Sequence, residues 1–303
     1  MRFFALILTL WVTCPLVAAP LPVVATNSIL GDLVKQVGGQ GIDLVILAGP
    51  GTDPHTFEPS PSDVRAVAKA QVFVENGLGL EPWVDKLARA SGTKAHRVVA
   101  ANGIAVIEAA CAAHDHGDHH HEVDPHVWND VAQAKVMVEN IRDGLIQEAP
   151  DQKETFQRQA ADYLERLTHL DQWIQEQVAA VPENRRLLVT HHDVFRYFAR
   201  RYGFKILGDA ISSVTTEAGD ASAGRTGTLV RAIQASGVPV IFPDFTSNPK
   251  VMEKIAQEAG VKVGPKLFLD SLGAPGSGGE SYEAMMRHNV RVIVENLKDG
   301  TRL

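Results

Sequence analysis

The 303-residue chain predicts an α/β fold of two parallel-sheet lobes joined by one long α-helix. Three observations carry that expectation. Short apolar runs alternate with stretches of helical spacing between residues 22 and 148, which is the pattern of strand–helix–strand units in a parallel sheet. The same alternation resumes between residues 187 and 297. Between the two sets, Asp151 to Val181 is polar, free of Gly and Pro, and repeats apolar residues at threes and fours.

The elements follow in chain order. Pro22 to Thr26 reads as a strand, Ile29 to Val37 as a helix, and Leu44 to Leu47 as a second strand running into the turn Gly49-Pro50-Gly51. Ser62 to Ala70 is helical, with Pro61 placed where a first turn tolerates it. Val72 to Val74 is a strand, Trp83 to Ala90 a helix, and Arg97 to Val99 a strand. Ala112 to Asp124 breaks the pattern: histidines, acids and glycine with no apolar period make it a loop. Asn129 to Glu148 is helical. Asp151 to Val181 then follows as one helix about 45 Å long at 1.5 Å per residue, a length that suits a strut between lobes. Leu187 to Thr190, Val238 to Phe242 and Lys266 to Leu269 are strands of the second lobe. Its helices are Val194 to Tyr202, Leu229 to Ser236, Val251 to Ala259 and Tyr282 to Leu297. The expected divisions are a leader at 1–19, a first lobe at 20–150, the linking helix at 151–181 and a second lobe at 182–303.

The leader rests on the order of its residues. Arg2 precedes an apolar run from Phe3 to Val12, and the small residues Val17-Ala18-Ala19 follow before Pro20. That order describes a cleavable secretory signal rather than a spanning helix, which needs about 20 apolar residues. Cys14 follows Thr13 rather than a small Gly, Ala or Ser, which argues against lipid attachment. Removal of the leader leaves Cys111 as the one cysteine, so no internal disulfide staples the mature chain. The net charge of -7 excludes a nucleic-acid partner on electrostatic grounds.

Ligands in parallel α/β domains bind in loops past the carboxyl ends of strands. The polar residues falling there are His55, His126, the pair His191-His192, and Asp270. Two positions lie in each lobe, so all would face the cleft between them. Imidazole nitrogens with one carboxylate suit zinc, and a shell filled by the protein suits binding rather than catalysis. Taken singly, each histidine reads as a loop-capping residue and Asp270 as a turn cap. The four positions together point to a metal, with one of His191 and His192 as the donor. His114, His116, His119, His120 and His121 form a second cluster, suited to loose, exchangeable metal coordination. The rival readings are a secreted zinc hydrolase, with Glu58 as general base, and a metal-storing buffer.

These segments together resemble the zinc- and manganese-binding solute-binding proteins of bacterial ABC transporters, across essentially the whole mature chain. The resemblance is carried by Val24 to Asp32, by Asp53-Pro54-His55-Thr56-Phe57-Glu58-Pro59, and by Asp124-Pro125-His126-Val127-Trp128. It continues through His192 to Phe198 and Leu269-Asp270-Ser271-Leu272, with Tyr282 and Met285-Met286 downstream. It implies His55, His126, His192 and Asp270 as metal ligands. Histidine rather than glutamate at the third position marks the zinc branch, with manganese as the alternative cargo. The resemblance further implies a monomer outside the cytoplasm that delivers its ion to a membrane permease, with a periplasmic metallochaperone as a further partner. A long rigid helix would restrict hinge opening, so release would need local loop movement. Metal binding requires neutral imidazoles, so affinity is expected to fall as pH drops through roughly 6 to 6.5.

Overall fold

The computed structural model describes residues 19–108, 123–211 and 223–298. The leader through residue 18 and the loop histidines His114, His116, His119, His120 and His121 lie outside the described residues.

The first lobe is built on four parallel strands, β1 (Leu21–Asn27), β2 (Ile42–Ala48), β3 (Val72–Glu75) and β4 (His96–Val99), in the order β2-β1-β3-β4. Val and Ile dominate these runs, and β-branched side chains pack well on a pleated surface. Helix α1 (Ser28–Gly38) starts directly at the end of β1, where the Asn27 side chain accepts the Leu30 amide. α2 (Pro61–Lys69) opens with a capping box between Ser60 and Asp63, and α3 (Val84–Ser91) closes on Gly92 in the left-handed region. α4 (Val131–Glu148), capped by Asp130, completes the lobe.

The second lobe contains β5 (Leu187–His192), α6 (Arg196–Tyr202), β6 (Lys205–Ile211), α7 (Ala223–Ser236), β7 (Val240–Ile241), α8 (Lys250–Ala259), β8 (Lys262–Val263) and α9 (Tyr282–Leu297). β5 pairs with β6 and β7 with β8, both parallel, and a parallel bridge between Thr190 and Phe242 joins the pairs. The strands therefore run β6-β5-β7-β8, the same order as in the first lobe, with the first strand inside.

Helix α5 (Lys153–Ala179) links the lobes through 27 residues, about 40 Å of helix. Phe156, Ala160, Tyr163, Leu167, Leu170, Ile174 and Val178 form its buried stripe at threes and fours. The stripe packs on α1 and α4 of the first lobe and on α6 and α9 of the second. One continuous apolar core thus runs from Leu21 through α5 to Leu297. Truncating the fully buried Leu167 to alanine would cost about 2–5 kcal/mol and loosen both lobes together.

Three strand expectations need correction. β5 does not stop at Thr190 but carries His191 and His192 as its last residues. β6 has no counterpart in the sequence reading, because Gly208 and Asp209 interrupt its apolar run. Lys266 to Leu269 is not a strand: the ladder forms earlier, at Lys262–Val263, and continues only as a bridge from Leu267 to Asp244. Pro265 has no amide to donate, which divides the ladder at that point.

Candidate metal centre

Each lobe sends two side chains to one point. His55 lies in the loop after β2, where Asp53 Oδ1 accepts its backbone N–H at 2.8 Å. The indole of Trp83 donates to the carbonyl of Pro54 at 2.7 Å and fixes the same turn. His126 follows Pro125, whose carbonyl accepts from the Asn76 side-chain amide at 3.0 Å. Asp124 Oδ1 accepts from the backbone N–H of His126 at 2.9 Å and lies 2.7 Å from its Nδ1. That contact orients the ring and leaves Nε2 facing inward, as carboxylates do behind metal-binding histidines. His192 ends β5. Asp270 follows Leu269, whose carbonyl accepts the Trp128 indole N–H across the lobes at 3.2 Å.

His55, His126, His192 and Asp270 each present one donor atom, and these four atoms lie within 4.8 Å of one another. All four residues are buried. The three rings stand edge-on around the point, with centroids 5.4 to 6.0 Å apart. His55 Nε2 is 3.3 Å from His126 Nε2, and Asp270 lies 3.4 Å from His126 Nε2 and 3.0 Å from His192 Nε2. His192 Nε2 and both Asp270 oxygens are buried and make no hydrogen bond. Buried polar atoms are nearly always satisfied. A convergent set of unsatisfied nitrogen and oxygen donors is a set that a divalent cation would satisfy at once.

Electrostatics divide the donors. Burial lowers His55 to about 4, against the opposing charge of Asp270, so its imidazole is neutral at physiological pH. Burial is the largest single influence on His192 and lowers it, but the nearby Asp270 together with the charges of Asp244 and Asp53 raises it to about 9. Burial opposes ionisation of Asp270, yet His192 holds its carboxyl well below the usual carboxylate range. His191 is close by, its ring 6.0 Å from that of His192, but burial and the neighbouring charge lower it to about 4 and it stands outside the four-donor group. Glu58 is exposed and lines an open cavity of about 630 Å³ with His55, Phe57, Trp83 and Lys86. Two buried carboxylates escaped sequence reasoning, Asp124 as the orienting partner of His126 and Asp244 near the second-lobe pair. Asp124 stood inside a quoted motif; Asp244 carried no local signal.

Among the described residues no helix is long and apolar enough to cross a membrane. Residues 23–296 match the model of the family described as zinc-uptake complex component A, periplasmic. The manganese-binding lipoprotein MntA of Halalkalibacterium halodurans is 34% identical over 277 residues, 91% of this chain and 88% of the relative. The zinc-binding lipoprotein AdcA of Streptococcus pneumoniae is 34% identical over 280 residues, 90% of this chain and 55% of the relative. Among solved structures, the periplasmic zinc binding protein TroA from Treponema pallidum superposes with a TM-score of 0.82 at 29% identity. That match covers 92% of this chain and 99% of the other.

Proposed function

This chain belongs to the family of the periplasmic zinc-uptake complex component A, the metal-binding component of an ABC transporter, and on that premise we propose that it captures zinc with His55, His126, His192 and Asp270. The observation that carries this reading is the convergence of four buried donor atoms within 4.8 Å. Three imidazoles and one carboxylate form a borderline-soft set that zinc prefers and that harder ions fill less well. The protein is a binding component rather than an enzyme, and it acts outside the cytoplasm. Zinc is its cargo: it would enter the cleft, bridge the lobes and leave to the membrane permease. A periplasmic metallochaperone belongs to the same proposal as an upstream donor. Because α5 is buried against both lobes, release proceeds by local movement of the ligand-bearing loops rather than by wide hinge opening.

Manganese is the second reading, favoured by one observation: the relative named as manganese-binding is as similar as the one named as zinc-binding. Titration of the metal-free mature protein with zinc and with manganese, each against a competing chelator, decides between them. One tight zinc equivalent that His126→Ala abolishes is the expected result. Tight manganese binding with weak zinc binding would overturn the zinc assignment. Zinc binding indifferent to His126→Ala would overturn the ligand set.

A further inference from the structure

The two inward-facing histidines that carry opposite ends of the cluster are supported unequally. His126 Nδ1 has its carboxylate, Asp124, at 2.7 Å. His192 Nδ1 is fully buried and has no hydrogen-bond partner. One strand away sits a carboxylate with the complementary deficiency. Asp244 is 1% exposed, one of its oxygens accepts from the Thr246 hydroxyl, and its other oxygen, Oδ1, is buried without a partner.

Register brings the two together. The parallel bridge pairs Thr190 of β5 with Phe242, the residue after β7. Side chains two residues apart point to the same face of a strand. His192 and Asp244 each lie two residues beyond that bridge, so they stand side by side on one face of adjacent extended segments. Asp244 is itself bridged to Leu267, three residues before Asp270. It therefore sits between the two segments that deliver the second lobe's donors.

We propose that Asp244 is a positioning residue for His192: its free Oδ1 accepts, directly or through one water, the Nδ1–H of His192 when Nε2 holds the metal. A metal on Nε2 obliges the ring to carry its N–H on Nδ1, and a buried N–H without an acceptor is costly. Asp244 Oδ1 is the buried acceptor that lacks a donor. The pair would then repeat in the second lobe what Asp124 and His126 do in the first, and loss of such an orienting group typically weakens metal binding about 10- to 100-fold. Thr246 fixes the rotation of the carboxylate by holding its other oxygen. The inference rests on the reading of His192 as a ligand.

A double-mutant cycle tests it. Zinc affinity is measured by chelator competition for the mature protein, Asp244→Asn, His192→Ala and the double variant, with cobalt(II) spectra as a report on coordination geometry. Asp244→Asn is expected to bind one zinc about 10- to 100-fold more weakly, to shift the cobalt d–d bands, and to have no further effect once His192 is alanine. Asp244→Glu should recover part of the affinity, and Thr246→Val should weaken zinc in the same direction and serve as the cycle's variant where Asp244→Asn does not fold. An unchanged affinity in Asp244→Asn, or an equal loss with and without His192, overturns the positioning role while leaving the ligand set intact. Wild-type affinity in His192→Ala would overturn both.

Discussion

The two lobes share a strand order but bring different chemistry to the metal. The first lobe offers His55 and His126 from loops: His55 is neutral through burial, and His126 is aimed by Asp124. The second lobe offers an ion pair at the carboxyl end of the sheet, His192 with Asp270, in which each partner favours the charge of the other. On the proposed ligand set, a cation would meet a neutral imidazole at His55 and would compete with a proton at His192.

The largest expected effect comes from breaking that pair. A structural zinc site is worth about 10–16 kcal/mol over four ligands, so one ligand accounts for about 3 kcal/mol, or roughly 100-fold in affinity. Both His55→Ala and Asp270→Asn should show this loss. Only Asp270→Asn should also abolish proton release on zinc binding, because it removes the charge that keeps His192 protonated. Calorimetry in buffers of different ionisation enthalpy reads the released proton. Equal release from the two variants would erase the distinction between the lobes.

Next in size is the pH dependence, for which the sequence leads one to expect a fall as pH drops through roughly 6 to 6.5. His55 at about 4 and His192 at about 9 sit on either side of that window. With His192 raised to about 9, zinc affinity should rise about tenfold per pH unit from about 6.5 toward 9 and level off there. The metal-free protein should show the opposite trend in stability. The folded pKa of His192 lies above its ordinary value, so the pair's contribution is complete below about pH 6.5. It is lost as pH rises through about 9, a change on the order of 3 kcal/mol. Melting curves with and without zinc, run between pH 6.5 and 9.5, should diverge; parallel curves would mean that His192 carries no proton.

Asp124→Asn sharpens the comparison from the other side. It leaves the ligand count intact and should weaken zinc about 10- to 100-fold through disorder of the His126 ring, with the proton release from His192 unchanged. The smallest effect is expected at the seam between the lobes. The Gly51 amide donates to the Leu272 carbonyl at 3.0 Å and to Ser271 Oγ at 2.8 Å. Its φ of +78° disfavours a side chain, while no neighbouring atom would meet an added Cβ. Gly51→Ala should therefore cost about 1 kcal/mol in melting experiments and alter zinc affinity by no more than about twofold. A larger loss of affinity would show that this turn transmits strain to His55.

The elements with the clearest periodicity were legible without coordinates. α9 begins and ends where its apolar spacing says, and α5 falls within two residues of its expected limits, because a Gly-free, Pro-free run with a single apolar stripe has one helical solution. His55, His126, the pair His191-His192 and Asp270 stood out as candidate donors from their places in the chain, the family resemblance favoured His192 within the pair, and the structure brings His55, His126, His192 and Asp270 together. Short strands were harder. β6 hides behind Gly208 and Asp209, and β8 is two residues long, too short for a period to register.

The sequence by itself determined the alternating architecture, the linking helix and the donor chemistry, since each is encoded in local residue type and spacing. Only the tertiary structure decided how those donors differ. The lowered pKa of His55, the raised pKa of His192 and the placing of Asp244 beside His192 arise between residues tens to hundreds of positions apart or from burial itself. Desolvation and charge act through space over a few ångströms, and no local pattern in the chain records those distances.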